Sequence, residues 1–107
     1  MVKVSFGDIV LLKFPFSNDQ TFKRRPALVI SDCDDGDVIV CRITSKIYDS
    51  DKDIFIDNWG KCGLKLPSVI RVHKIATLEK GLIESIIGKI DASLKEKVKN
   101  IFASFIE

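Results

Sequence analysis

The chain has 107 residues, of which 46% are hydrophobic and 30% charged, with a formal net charge of +2. That length gives one domain with one hydrophobic centre, and the balance is that of a folded globular protein, not a disordered one. No apolar run approaches the roughly 20 residues that a membrane-spanning helix needs. Met1 to Ser5 does not open a secretory signal, so a cytoplasmic protein with no membrane partner is expected.

In chain order, Gly7-Asp8 leads into Ile9-Val10-Leu11-Leu12-Lys13-Phe14, a run rich in β-branched and apolar residues that Pro15 stops. It predicts a strand buried on both faces or nearly so. Residues 16–24 are polar and turn-rich and predict a loop. Ala27 to Ile30 predicts a second strand, with Pro26 at its first position, where a missing N–H does least harm. Asp34-Asp35-Gly36-Asp37 predicts a tight hairpin turn into a third strand, Val38 to Ile43.

Residues 44–52 are polar, and Ile54-Phe55-Ile56 predicts a short fourth strand. A loop carrying Asn58-Trp59-Gly60 and Gly63 follows. Ser68 to Val72 alternates as a half-exposed strand does, Lys74 to Leu78 continues or follows it, Gly81 begins a turn, and Ile86 to Ile90 predicts a last strand. Asp91 is a suitable N-cap for a helix over residues 92–105, with Leu94, Val98, Ile101, Phe102 and Phe105 on one face. Many short strands followed by one helix predict a mainly β fold, a small, strongly bent β-barrel with a packed C-terminal helix, filling residues 1–107 as a single domain.

The charge is unevenly spread: residues 1–31 carry a net +3, residues 32–57 a net −5 and residues 58–80 a net +4. Two basic segments that meet in the fold would form a cationic surface suited to phosphates; kept apart, they are solvated loop charges. Cys33, Cys41 and Cys62 are widely spaced, lack a Cys-x-x-Cys pair and share the chain with one histidine. They predict inert free thiols, no disulfide and no zinc site, and no cofactor is expected.

Two polar clusters remain. Lys23-Arg24-Arg25-Pro26 places an arginine at the entrance of a buried strand, where its planar fork would suit a phosphate. Thr44-Ser45 ends an apolar strand, and Ser68, Arg71 and His73 lie on another. Arg71 and His73 are two residues apart and share a face if that strand is regular. A guanidinium beside an imidazole suits phosphoryl chemistry, although a lone histidine is also a common structural residue and a strand-end threonine a common turn residue.

Gly7 to Leu11, Phe14 to Ser17 and Lys23 to Ser31, then Arg42-Ile43-Thr44-Ser45, Leu66 to Leu78 and Ile87 to Ile90, together resemble the MazF/PemK family of toxin endoribonucleases. The resemblance runs in order along nearly the whole chain. It implies an SH3-like barrel that forms a homodimer, cleaves single-stranded RNA (often mRNA) at short motifs without metal through attack of the neighbouring 2′-hydroxyl, and is covered by a cognate antitoxin. By the same resemblance Arg25 and Thr44 match the pair assigned to catalysis in the MazF branch, and Arg71 an arginine of the PemK branch. His73 stands where that branch has an aspartate base, which leaves the base an open question. Lys23 and Arg24 would steer RNA, Ser45 and Ser68 would help hold it, and Trp59 would stack on a base or pack over the barrel mouth. A catalytically weak RNA- or antitoxin-binding barrel, and a protein-targeting toxin of the same shape, are the competing readings.

Overall fold

The structure, a computed structural model, describes residues 3–15 and 22–107. Its strands are β1 (Asp8–Pro15), β2 (Phe22–Asp32), β3 (Asp37–Thr44), β4 (Asp53–Ile56), β5 (Ser68–Glu79) and β6 (Ile83–Lys89), followed by one helix, α1 (Ala92–Ser104). A single 3-10 turn, Lys80–Leu82, joins β5 to β6. All pairings are antiparallel, in the order β4-β5-β3-β2-β1-β6, so β4 and β6 are the edges of this sheet.

The near-continuous apolar runs of β1, β2 and β3 have a simple cause: both faces of the sheet are buried. Successive side chains point to opposite faces. Ile9, Leu28, Cys41 and Ile43 thus enter one core, where Leu94 and Val98 of α1 close over them. Val10, Leu12, Ala27, Val29, Val38 and Val40 enter a second core, which Val4, Leu78, Leu82 and Ile83 complete. Register shifts in the β1–β6, β2–β3 and β3–β5 ladders bend the sheet so that it can enclose both.

The helix follows its pattern closely. Asp91 caps it by accepting the Leu94 N–H at 2.9 Å, and Leu94 and Val98 are its buried residues. The Asp34–Asp37 hairpin turn is also present. Asp34 adopts φ 59°, and the Asp32 and Asp35 carboxylates accept the Asp34 and Asp37 N–H groups at 3.0 Å. All three cysteines are free, with Cys41 and Cys62 buried. Burial pushes the Cys41 thiol up to about 12, which leaves it protonated and unreactive.

Two expectations need correction. The loop expected over residues 16–24 lies outside the described residues as far as 21, and from Phe22 the chain is already strand, so Lys23 to Pro26 sit inside β2 instead of at its entrance. β1 supplies the partner that the sequence pattern does not show: it pairs with β2 down to Pro15↔Phe22. The second concerns the regularity assumed for the strand that carries Arg71 and His73: Lys74 to Leu78 does continue it, as β5 of 12 residues, but β5 carries a large bulge. Its register against β3 steps from Arg42↔Arg71 to Cys41↔Ile75, so residues 72–74 have no place in the ladder.

The loop after β4 is tied to β6 by backbone contact. A Cβ at Gly63, where φ is +86°, would lie 1.9 Å from the Ile87 carbonyl oxygen. Gly63→Ala should therefore lower the unfolding free energy by at least about 2 kcal/mol, through strain and the enforced shift of β6. Denaturant unfolding monitored at Trp59 checks this; an unchanged midpoint would show that the close approach is not required.

Candidate nucleic-acid interface

The site begins with a missing hydrogen-bond donor. Pro26 has no N–H, and the β2–β3 ladder stops at Ala27↔Arg42 while β2 stays paired with β1 through Leu11↔Pro26, Leu12↔Arg25 and beyond. Carrying the β2–β3 register two residues past Ala27↔Arg42 sets Arg25 opposite Thr44. There the strands no longer hydrogen-bond, and a cleft of about 410 Å³ opens between them. By the two-residue alternation, Arg25, Arg42 and Thr44 continue the face that carries Ala27 and Val40 in the second core. That face is apolar at one end of the sheet and cationic at the other.

Arg25 is exposed and Thr44 half-buried at the cleft. The Thr44 hydroxyl oxygen accepts the Lys46 N–H at 3.2 Å, which leaves the hydroxyl proton to donate. Ser45, Lys23, Arg24 and Ser68 line the same cleft, as does Lys65, which the sequence reading passed over. Their availability differs. Lys23 and Ser45 are exposed. Arg24 donates to Glu84 at 2.7 Å, and that hydrogen bond raises the guanidinium's pKa and holds the Glu84 carboxyl below its usual range. Ser68 is 4% exposed and donates to the Leu66 carbonyl at 2.9 Å, so its proton holds the loop.

Arg71 occupies a different setting. Its Nε donates to Asp53 at 2.9 Å, with the two side chains 13% and 1% exposed. Its guanidinium carbon lies 3.6 Å from the centre of the Tyr48 ring. Asp53 also accepts the Ser50 N–H at 3.1 Å and the Ser50 hydroxyl at 2.7 Å. Burial works against the Asp53 charge, and the Arg71 and Ser50 hydrogen bonds overcome it, holding the carboxyl below its ordinary 3.8. Tyr48 is in turn pulled down by a hydrogen bond with Lys46, against partial burial, and by the charges of Lys46, Arg71 and Arg42.

The face-sharing expected of Arg71 and His73 required a regular strand, and the bulge at 72–74 removes that condition. His73 Nδ1 is buried and has no hydrogen-bond partner among the described residues. Trp59 is partly buried against the first core. Among the described residues no group of three or more His, Cys, Asp or Glu is placed to hold a metal ion, and no helix is long and apolar enough to cross a membrane. Tyr48 and Arg42 were missed in the sequence. Arg42 stands two residues before Thr44 and is legible by strand alternation. Tyr48 had no comparable signal beyond being the chain's one tyrosine.

Solved structures share this architecture. A MazE–MazF complex from Deinococcus radiodurans aligns with a TM-score of 0.81 at 20% identity, covering 99% of this chain and 97% of that one. A mycobacterial endoribonuclease in complex with its cognate antitoxin gives 0.76 at 16% identity, over 97% and 95% of the two chains. The Mycobacterium tuberculosis toxin MazF-mt6 gives 0.71 at 19%, over 91% and 95%. No curated protein matches the chain. The class defined by these likenesses is a fold of one bent antiparallel sheet and one C-terminal helix. The chain belongs to the PemK-like, MazF-like toxins of type II toxin-antitoxin systems, whose sequence profile matches residues 5–106.

The Arg71–Asp53 pair predicts a specific pH response. Because Asp53 is depressed in the folded protein, its contribution to stability is complete above the ordinary carboxylate range and is lost as pH falls from about 4 downward. Asp53→Asn should flatten that acid limb in melting temperatures measured from pH 7 to pH 2.5. Arg71→Met, which leaves a buried carboxylate unpaired, should destabilise by about 3 kcal/mol at pH 7. An acid limb identical in wild type and Asp53→Asn would contradict the assignment.

Proposed function

We propose that the chain is a toxin endoribonuclease that cuts single-stranded RNA, mRNA above all, at short sequence motifs in the cleft between Arg25 and Thr44. The carrying observation is the opposition of an exposed guanidinium and a hydroxyl with a proton to donate, across a gap where two strands part. The 2′-oxygen of the preceding nucleotide attacks phosphorus and gives up its proton, the P–O5′ bond breaks as the leaving 5′-oxygen takes up a proton from solvent, and the products are a 2′,3′-cyclic phosphate and a 5′-hydroxyl. No water is consumed in this step and no metal is required by it. The Arg25 guanidinium offsets the charge that builds on the phosphorane oxygens. Thr44 donates a hydrogen bond to one of those oxygens. Lys23 and Lys65 add sequence-independent attraction for the strand.

The proton leaving the 2′-hydroxyl needs a positioned base that is free to accept it near neutral pH, a task for which imidazole is chemically suited. If His73 takes it, the transfer passes through Nε2, since Nδ1 is sealed inside the protein. Arg71 acts at one remove, fixing Tyr48 and Asp53 beside Arg42. The solved relatives named as endoribonucleases, and those bound to an antitoxin, support the activity and support a cognate antitoxin as the partner that silences it. A homodimer in the cytoplasm is part of the same proposal.

Purified protein incubated with long single-stranded RNA in excess EDTA should yield ends carrying 2′,3′-cyclic phosphate, identified by mass spectrometry. Arg25→Ala should lose at least about 100-fold in rate, as removal of a transition-state donor does. His73→Ala should lose a comparable factor if the imidazole is the base. Intact RNA after prolonged incubation with folded, antitoxin-free protein would overturn the proposal in favour of a binding barrel or a protein target.

A further inference from the structure

Arg25 and Pro26 border a second cavity as well as the cleft, and among the described residues these two are the ones that both share. This second basin, of about 650 Å³, lies on the far side of Arg25. Leu12, Ala27, Val40 and Ala76 contribute to its apolar wall, and it carries two further cations, Arg42 and Lys74. Among the described residues no carboxylate lines it. Its walls come from four strands. Ala27 pairs with Arg42 between β2 and β3, and Val40 pairs with Ala76 between β3 and β5, while Leu12 lies on β1 and Lys74 sits in the β5 bulge. The bulge therefore delivers a lysine to the rim of a basin that a regular strand would have framed differently.

An endonuclease holds nucleotides on both sides of the bond it cuts. With the scissile phosphate at Arg25, the polar cleft takes the strand in one direction, and a second space must take it in the other. We infer that the basin is that space: a subsite for the nucleotide across the scissile phosphate from the cleft, with its base against the Ala27–Val40–Ala76 wall, Arg42 reading the edge of the base and Lys74 holding a phosphate. The inference rests on the RNA-cutting reading and deepens it. The three cations suit the anionic backbone, small apolar side chains admit the flat face of a base, and a splayed single-stranded base is what such proteins read. The planar fork of Arg42 matches the O6 and N7 acceptors of guanine best, so guanine is the base expected there.

The test is cleavage of a randomised single-stranded RNA pool, with the cut ends sequenced. Wild type should prefer guanine at one position flanking the cut. Arg42→Ala should lower that preference about tenfold, equivalent to one well-placed bidentate contact. Arg42→Lys, which keeps the charge and loses the fork, should lose it as well. Ala76→Trp changes an exposed residue, fills the basin, and should suppress cutting of the whole pool. Cutting by all three variants with the wild-type base profile overturns this inference alone. A pool left intact by wild type overturns it together with the RNA-cutting reading. Light scattering and antitoxin titration of the same variants separate other occupants. If Ala76→Trp breaks an oligomer, or Arg42→Ala weakens antitoxin binding, while the base profile stays put, the basin is a protein interface and the inference fails.

Discussion

The absent N–H of Pro26 is the constraint on which the site depends. In mid-sheet a proline is tolerated only where its nitrogen owes no ladder hydrogen bond. β2 meets that condition by keeping β1 as its partner down to Phe22 while leaving β3 at Ala27. The parting of β2 from β3 gives the sheet an opening without an extra loop, and it leaves the residue before the proline, Arg25, on the lip. Thr44, at the end of β3, forms the other lip. Rigid strands carry both groups, which favours a fixed geometry over an adaptable one.

The charge pattern of the sequence now has a physical meaning. β3 begins at Asp37 and ends at Thr44, so the acidic Asp32–Asp37 turn lies at one end of the strand and the cationic face at the other, roughly 23 Å apart at strand rise. Two carboxylates of the described residues are occupied by other cations: Asp53 holds Arg71 and Glu84 holds Arg24. Asp32, at the acidic end, is held by Lys80 and anchors the hairpin to the turn after β5. With those carboxylates so committed, the end of the sheet that bears Arg25, Arg42 and Lys74 presents a positive field to a polyanion.

Much of the fold was legible because period-two alternation and turn chemistry are local. The Asp-Gly hairpin, the apolar runs of β1 and β3, and the Asp91-capped helix all follow from residues within a few positions of one another. β2's early start was not legible, since Lys23 and Arg24 read as the end of a loop and Pro26 as the first position of the strand until β1 is known to lie alongside. The bulge at 72–74 leaves only a faint trace, the successive polar residues His73 and Lys74 after the Ser68–Val72 alternation, and only the β3 register shows three residues left over. Arg25, Thr44 and Ser45 could be found from strand ends and family resemblance. Arg71 was found as a residue but not in its setting, because Asp53 and Tyr48 come from a distant segment that only the tertiary fold brings beside it.

The most direct test of the account is a crystal structure of the protein with an RNA oligonucleotide made uncleavable by a 2′-deoxy substitution at the cut site. The account predicts the scissile phosphate in the gap between β2 and β3, within hydrogen-bond distance of both the Arg25 guanidinium and the Thr44 hydroxyl. A phosphate seated instead beside Arg71, out of reach of both Arg25 and Thr44 and with the β2–β3 gap empty, would contradict it.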